Sequence, residues 1–302
     1  MNEFVVPEEY EGERVDSFLA AINDDLSRSF IQKLIKDEKV IVNGKSVKPS
    51  YKVCTEDAVG IDIPDSIIPD ILPENIPLDV LYEDNDVILV NKPKGMVVHP
   101  AAGHYSGTLV NALMYHCKDS LSGINGVLRP GIVHRIDMNT TGVLICCKND
   151  NAHRNIAEQI KAHSVTRRYY ALCHGSFDRP EGVINVPIGR NPKDRKKMAA
   201  GSGKEAVTHY RVLESFKGYS FIECRLETGR THQIRVHMAS IGHAVVGDDV
   251  YGTSKKEKWD TNGQMLHAYI FGFIHPVSGE YIEVTAPLPA YFENILKELR
   301  NK

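Results

Sequence analysis

The chain has 302 residues, 42% of them hydrophobic and 25% charged, with a formal net charge of −3. That length predicts two folded units, one small and one large, and the composition excludes a disordered chain. With no basic-then-apolar start and no apolar stretch near ~18 residues, the sequence predicts a soluble protein that stays in the cytoplasm.

The first unit is legible from its spacing. Val15, Phe18, Leu19 and Ile22 fall at i, i+3, i+4 and i+7, one apolar face of a helix. Ser27 is a suitable N-cap for a second helix, "RSFIQKLIK". There Ile31, Leu34 and Ile35 form the buried side, and Arg28, Ser29, Gln32, Lys33 and Lys36 gather opposite. Asn43-Gly44, between two short β-prone runs, predicts a tight hairpin of the primed type. A helix-helix-hairpin unit with one basic face resembles the S4 RNA-binding domain over Glu13 to Ile63. The resemblance implies RNA contacts from Arg28, Lys33 and Lys36; an ordinary solvated helix face has the same appearance.

Residues 64–80 read as a linker between a first unit, 1–63, and a second, 81–302. Pro64, Pro69, Pro73 and Pro77 are spaced too closely for a helix and badly placed for an inner strand. From Gly60 to Val90 there are eight acids and no Lys or Arg; setting those eight aside turns the chain's −3 into +5. A polyanionic partner is therefore compatible with a chain that is acidic overall.

Beyond the linker, "DVILVNKPKGMVVHPAAGHYSGTLVNAL" reads as strand, turn, strand, loop, helix, and "YIFGFIHPVSGEYIEVTAPL" as a closing strand-turn-strand. Strands dominate without regular βαβ alternation, which predicts an α+β domain with a mixed, mostly antiparallel sheet. Six cysteines (Cys54, Cys117, Cys146, Cys147, Cys173, Cys224) include no C-x-x-C pair and read as small buried hydrophobes of a reducing compartment. Phosphate-binding, dinucleotide, zinc-protease and serine-elbow motifs are all missing. His232 and His237 are five apart, a poor metal pair on a helix, so no metal is expected.

The chemistry is concentrated in "GIVHRIDMNTTGVLICCKN", residues 131–149. Two apolar runs, 131–133 and 142–147, predict strands buried on both faces, with His134, Arg135 and Asp137 between them. In an extended segment Arg135 and Asp137 point to one side. A carboxylate beside a guanidinium stays ionised, which suits a nucleophile or a fixed negative charge better than a general acid. A structural salt bridge closing a strand would look the same.

The surrounding blocks decide between these readings. "HRIDMNTTGVLICCKN", preceded by "NKPKGMVVHPAAGHYSGTLVNAL" and followed by "VTRRYYALCHG" and "LETGRTHQIRVHMASIGHAVVGDDVYG", resembles the RluA-type family of pseudouridine synthases over about two thirds of the chain. An S4-like unit in front is the arrangement of that family's RluD-like subgroup. The resemblance implies isomerisation of uridine to pseudouridine without metal or organic cofactor, in large-subunit ribosomal RNA, with naked RNA and pre-ribosomal particles both open as the form of the substrate; a monomer is expected. Asp137 matches the catalytic aspartate. Arg135 matches the motif arginine that holds the flipped nucleotide, with His134 beside it in the block. Tyr169 matches the tyrosine that stacks on uracil, and Arg235 the basic partner of the aspartate, with Arg230 as fallback. A helix is expected around Arg235, with Thr231 as N-cap and Gly242 as its stop.

The basic loop "GRNPKDRKKMAAGSGKEA" is expected to be mobile and to meet phosphates through Arg195, Lys196 and Lys197 among others. This chain has Ile136 where the family has Leu, a mild change in a buried apolar position, and Met138-Asn139 where it has Lys and an acid, a change that bears on RNA preference. Two competing readings are an inactive RNA-binding or ribosome-assembly factor and a tRNA-directed synthase. A third, a carboxylate or metal-water hydrolase, needs a second acid that the sequence does not identify.

Overall fold

A computed structural model describes residues 2–23, 28–62, 71–100, 104–118, 120–126, 129–194, 197–253 and 257–301. The chain divides into two units, 1–69 and 70–302. The first contains β1 (Asn2–Val5), α1 (Val15–Ile22), α2 (Arg28–Lys36), β2 (Val40–Val42), β3 (Lys45–Ser46) and β4 (Ala58–Ile61). Its sheet has the order β1-β4-β2-β3, antiparallel throughout. Val15, Phe18 and Leu19 of α1 pack with Ile31, Leu34 and Ile35 of α2 against Val40, Val42, Val59 and Ile61, as the helical spacing predicts. Asn43 and Gly44 both have positive φ, 49° and 74°, which the primed hairpin turn requires. The expected cap, Ser27, lies outside the described residues.

The second unit runs β5 (Val80–Glu83), β6 (Val87–Lys92), α3 (Leu109–Cys117), β7 (Thr141–Cys147), α4 (Asp150–Lys161), β8 (Thr166–His174), β9 (Glu181–Asn185), β10 (Ile188–Arg190) and β11 (Met198–Ala200). It continues with β12 (Val207–Phe216), β13 (Tyr219–Leu226), α5 (Gln233–Ser240), β14 (Leu266–Ile274), β15 (Tyr281–Thr285) and α6 (Ala290–Arg300). Nine of these strands form one sheet, β5-β6-β7-β14-β8-β13-β12-β9, with β15 also on β14. The β7·β14 pair is parallel, and the sheet's other pairs are antiparallel. The mixed, mostly antiparallel α+β architecture expected from the strand pattern is the one observed.

Alternation along the central strands feeds two cores. Ile88, Val90, Leu144 and Cys146 face one core, with Leu109 and Leu113 of α3 and Phe292 and Leu296 of α6. Val87, Leu89, Val143, Ile145 and Cys147 face the other, with Ala152 and Ile156 of α4. A strand covered on both sides needs no polar face, which accounts for the continuous apolar run 142–147. Gly142 permits the parallel pairing, since a Cβ there would lie 2.1 Å from Ala268 O.

Several segments differ from expectation. Residues 131–133 form no strand. Gly131 accepts from Cys147 N (2.8 Å) and donates to Ser122 O (2.7 Å), leaving one isolated bridge, Ile132 to Cys146, before the chain turns away. Residues 96–99 are irregular; the carbonyls of Val97 and Val98 receive the first amides of α3. The basic loop contains a hairpin, β10 paired with β11. In the stretch read as linker, 64–70 lies outside the described residues, while 71–79 forms no helix or strand and is bonded to the second unit. Ile71 is buried in that unit's core, Glu74 accepts from Gly107 N (3.0 Å), and Asn111 Nδ2 donates to Leu72 O (2.8 Å). Prolines bar this segment from a sheet but not from a strap satisfied by side chains.

Candidate active site

Asp137 stands in the irregular loop that enters β7. Thr140 N bonds to its carbonyl (3.0 Å). The next carbonyl, that of Met138, accepts from Gly95 N (3.0 Å) and from Lys92 Nζ (2.9 Å). Lys92 is fully buried and also donates to Pro93 O (2.8 Å) and Met96 O (2.9 Å), three acceptors for three ammonium protons. Burial pushes its pKa down to about 7 against the opposing pull of Asp137. The loop is thus anchored from beneath, which fixes where the carboxylate points.

Opposite, α5 supplies Arg235. Its Nη1 donates to Asp137 Oδ2 at 2.9 Å, while Nε and Nη2 form a fork on Asp248 at 2.7 and 2.9 Å. Burial pulls the Arg235 pKa down, but Asp248 and Asp137 outweigh it and hold the group above its ordinary value. Burial likewise raises Asp248, and the bonds from Arg235 and from the Tyr251 and Val250 amides bring it below the ordinary carboxylate range. Arg235 is therefore a fixed charge with one nitrogen offered to Asp137.

The other oxygen, Oδ1, has His232 Nε2 at 3.7 Å. His232 Nδ1 is 2.9 Å from the Tyr251 hydroxyl, which accepts from Met198 N at 2.8 Å. The hydroxyl can donate to Nδ1, an arrangement that places Nε2–H toward Asp137. Burial lowers the His232 pKa, with Asp137 opposing, so the ring is mainly neutral at pH 7. His232 has φ 57°, the left-handed region, and occupies the N-cap of α5 without a side-chain cap bond. The cap expected at Thr231 is displaced because Gln233 ties the turn instead, accepting from Arg230 N (2.9 Å) and Thr228 Oγ1 (2.8 Å). Gly242, φ 83°, ends the helix as expected.

A cavity of about 370 Å³ opens beside Asp137, lined among others by Arg135, Lys161, Arg167, Tyr169, Arg230 and Arg235. Tyr169 stands on β8 in the core formed with Ile136, Leu226 and Leu266, and burial raises its phenol pKa. His134 also lines the cavity, stacked on Phe271 at 5.1 Å and accepting from Ile145 N at 3.3 Å. Burial pushes its pKa down to about 3.

Arg135 is exposed and forms no ion pair with Asp137; the guanidinium partner is Arg235, 98 residues later. The i, i+2 argument fails here because the segment is not extended in a sheet. Arg230 donates through Nε to Glu205 O (2.8 Å). In the first unit Lys33 and Lys36 are exposed on α2, and Arg28 meets Asp16 at 3.1 Å. Lys197 lies 4.0 Å from Asp194, and Arg195 and Lys196 fall outside the described residues.

Asp248, His232, Tyr251 and Lys92 escaped the sequence reading. The paired acids in "AVVGDDVYG" were the available signal for Asp248. Among the described residues one cluster, Asp84, Asp86 and His275, has the spacing of metal ligands. Its His275 Nδ1 accepts from Val277 N (3.3 Å) and Ser278 N (3.1 Å), so Nε2 carries the proton and donates to Asp84 (2.9 Å). No imidazole lone pair is left for an ion.

One carboxylate aimed into a basic, tyrosine-lined cavity of small-ligand size marks an enzyme that handles a single nucleotide of a polyanion. The family model described as RNA pseudouridylate synthase matches residues 86–240, and that of the S4 domain matches 13–59. The chain belongs to the RNA pseudouridine synthase family and isomerises uridine to pseudouridine in RNA. It is 52% identical to the uncharacterised RNA pseudouridine synthase YlyB of Bacillus subtilis over 97% of this chain and 96% of the relative. It is 47% identical to ribosomal large subunit pseudouridine synthase D of Zymomonas mobilis, over 97% and 95%. The solved structure of human RNA pseudouridylate synthase domain containing 1 superposes with a TM-score of 0.58 at 25% identity, covering 76% of this chain and 97% of that one. Among the described residues no helix is long and apolar enough to cross a membrane.

Proposed function

We propose that Asp137 is the carboxylate that engages the target uridine and that the substrate is large-subunit ribosomal RNA. The observation that carries the first part is the asymmetry of Asp137: Oδ2 is tied to Arg235 at 2.9 Å, while among the described residues Oδ1 has only the His232 ring at 3.7 Å. The open oxygen is free to approach a nucleotide. Isomerisation breaks the N1–C1′ bond and forms C5–C1′; the proton on C5 is released and N1 ends protonated. Through that exchange Tyr169 supports the base and its hydroxyl handles protons, Arg135 and His134 hold the flipped nucleotide, and Arg235 keeps Asp137 charged and aimed. The second part rests on the relatives bearing the ribosomal large subunit name, which align with 95% or more of this chain, front unit included.

The test is tritium release from ribosomal and transfer RNA labelled at uridine C5. Wild-type protein releases tritium from large-subunit RNA. Asp137→Ala lowers the rate by at least ~10³-fold while RNA affinity stays within a small factor. Undiminished release by the variant rejects the assignment of Asp137, and release from transfer RNA alone rejects the ribosomal substrate.

A further inference from the structure

Arg167 is the feature of this cavity that its family assignment leaves unexplained. It stands on β8 two residues before Tyr169, on the same face, and is 5% exposed. Among the described residues its guanidinium makes one hydrogen bond, Nη2 to Glu227 O at 2.7 Å, and its buried Nε has no partner. No carboxylate among the described residues pairs with it; Glu227, whose carbonyl it meets, has its own carboxylate on His209 at 2.5 Å. Burial lowers the Arg167 pKa, and the one cation that acts on it among the described residues, Arg230, lowers it further, while the Tyr169 phenol opposes. Buried charges are normally paired, and an unpaired one carries a heavy desolvation cost. Gly229 faces this guanidinium, and a Cβ there would stand 2.7 Å from Arg167 Nη1. The pocket therefore keeps room for a buried, uncompensated arginine.

Resting on the isomerase reading above, we propose that Arg167, flanked in the cavity lining by Lys161 and Arg230, is the seat of one phosphodiester adjoining the flipped uridine. The missing counter-charge points to an anion rather than to a neutral carbonyl of the base, and the phosphate is the anion a flipped nucleotide carries with it. Arg167 holds that phosphate at one end of the cavity while Asp137, paired with Arg235, waits at the other. The distance between nucleotide and carboxylate is then set from both sides.

The experiment uses the full chain and an RNA that the wild-type protein modifies, with a neutral methylphosphonate placed in turn at the phosphate 5′ and 3′ to the target uridine. Tritium release by wild-type protein from the unmodified RNA tests the isomerase reading first, and its failure there removes both proposals. With that activity present, Arg167→Met lowers kcat/KM on natural RNA by about tenfold to a hundredfold, the worth of a charged hydrogen bond. Methylphosphonate at one of the two positions costs the wild type a similar factor and costs Arg167→Met nothing more. Arg167→Lys, which keeps the charge, recovers part of the loss. Gly229→Ala, which shifts the guanidinium without removing it, gives the same selective loss and serves where Arg167→Met fails to fold. Penalties that multiply at both positions, or an Arg167→Met enzyme as active as wild type, overturn the proposal.

Discussion

Asp16 of the first unit and Asp137 of the second are both acids held by arginine, and their surroundings differ in one countable respect. Asp16 is fully buried and receives four donors: Arg14 Nε (3.0 Å) and Arg28 Nη2 (3.1 Å) on Oδ1, Arg14 Nη2 (3.0 Å) and Gln32 Nε2 (2.6 Å) on Oδ2. Asp137 keeps 18% of its side-chain surface and receives one, from Arg235. A carboxylate has about four acceptor sites. Saturating them makes a joint between helices, whereas leaving most of them open suits the role proposed for Asp137. Asp248 falls with Asp16, since Arg235 and the amides of Val250 and Tyr251 occupy it.

If donor count separates structural acids from reactive ones, Asp248→Asn gives the largest loss of stability. It strips a buried guanidinium of its main counter-charge, an injury of about 3–5 kcal/mol. Tritium release falls as well, because Arg235 is no longer held toward Asp137. Thermal unfolding of the full chain reports the first effect. A melting temperature equal to that of Asp137→Ala, whose removal leaves little unpaired, would erase the distinction between the two acids.

Asp16→Asn ranks next, at roughly 1–2 kcal/mol, less because Arg14 and Arg28 remain about half exposed and solvated. The effect is local, so hydrogen exchange in α1 and α2 of the full chain is the readout. Burial pushes the Asp16 pKa up, but bonds from Arg14, Gln32 and Arg28 outweigh it and hold it well below the ordinary 3.8. The unfolded chain thus takes up this proton at a higher pH than the folded one. The stabilisation is complete above pH 3.8 and is lost as acid is added below it. Wild-type protection in these helices, taken relative to the intrinsic exchange rate at each pH, falls in that window, and Asp16→Asn flattens the dependence. A variant whose protection falls with acid as steeply as wild type contradicts this account.

The same contrast explains which features the sequence revealed. Apolar spacing placed Phe18, Ile31 and Leu34 correctly because helix burial depends on neighbours three and four residues away. The unbroken run 142–147 likewise declared a strand covered on both faces. The acid proposed to engage uridine was visible as a residue, and its partner was not deducible from local spacing, since Arg235 is 98 residues distant and meets Asp137 through the tertiary fold. Local geometry nominated Arg135 because it assumed an extended segment; the loop at 133–140 takes its shape from Lys92 and Gly95, bound to the Met138 carbonyl. Lys92, Asp248 and Tyr251 act through contacts of this kind, which no periodicity records.

The smallest effect concerns α2, where the two roles of charge meet on one helix. Arg28 serves Asp16 with one nitrogen, while Lys33 and Lys36 stand exposed farther along. Arg28→Ala therefore disturbs both folding and RNA contact, and a drop in affinity from it is ambiguous. The double substitution Lys33→Ala with Lys36→Ala leaves the Asp16 cluster intact and removes only the proposed phosphate contacts. Each such contact releases counterions, so the slope of log affinity against log salt shrinks by about 0.7–0.9 per lysine. Filter binding across a salt series measures it, with α1 and α2 exchange unchanged as the control. A slope equal to wild type would show that this face, basic as it is, is solvated surface, and the RNA handle of the first unit would have to be sought among the arginines that Asp16 organises.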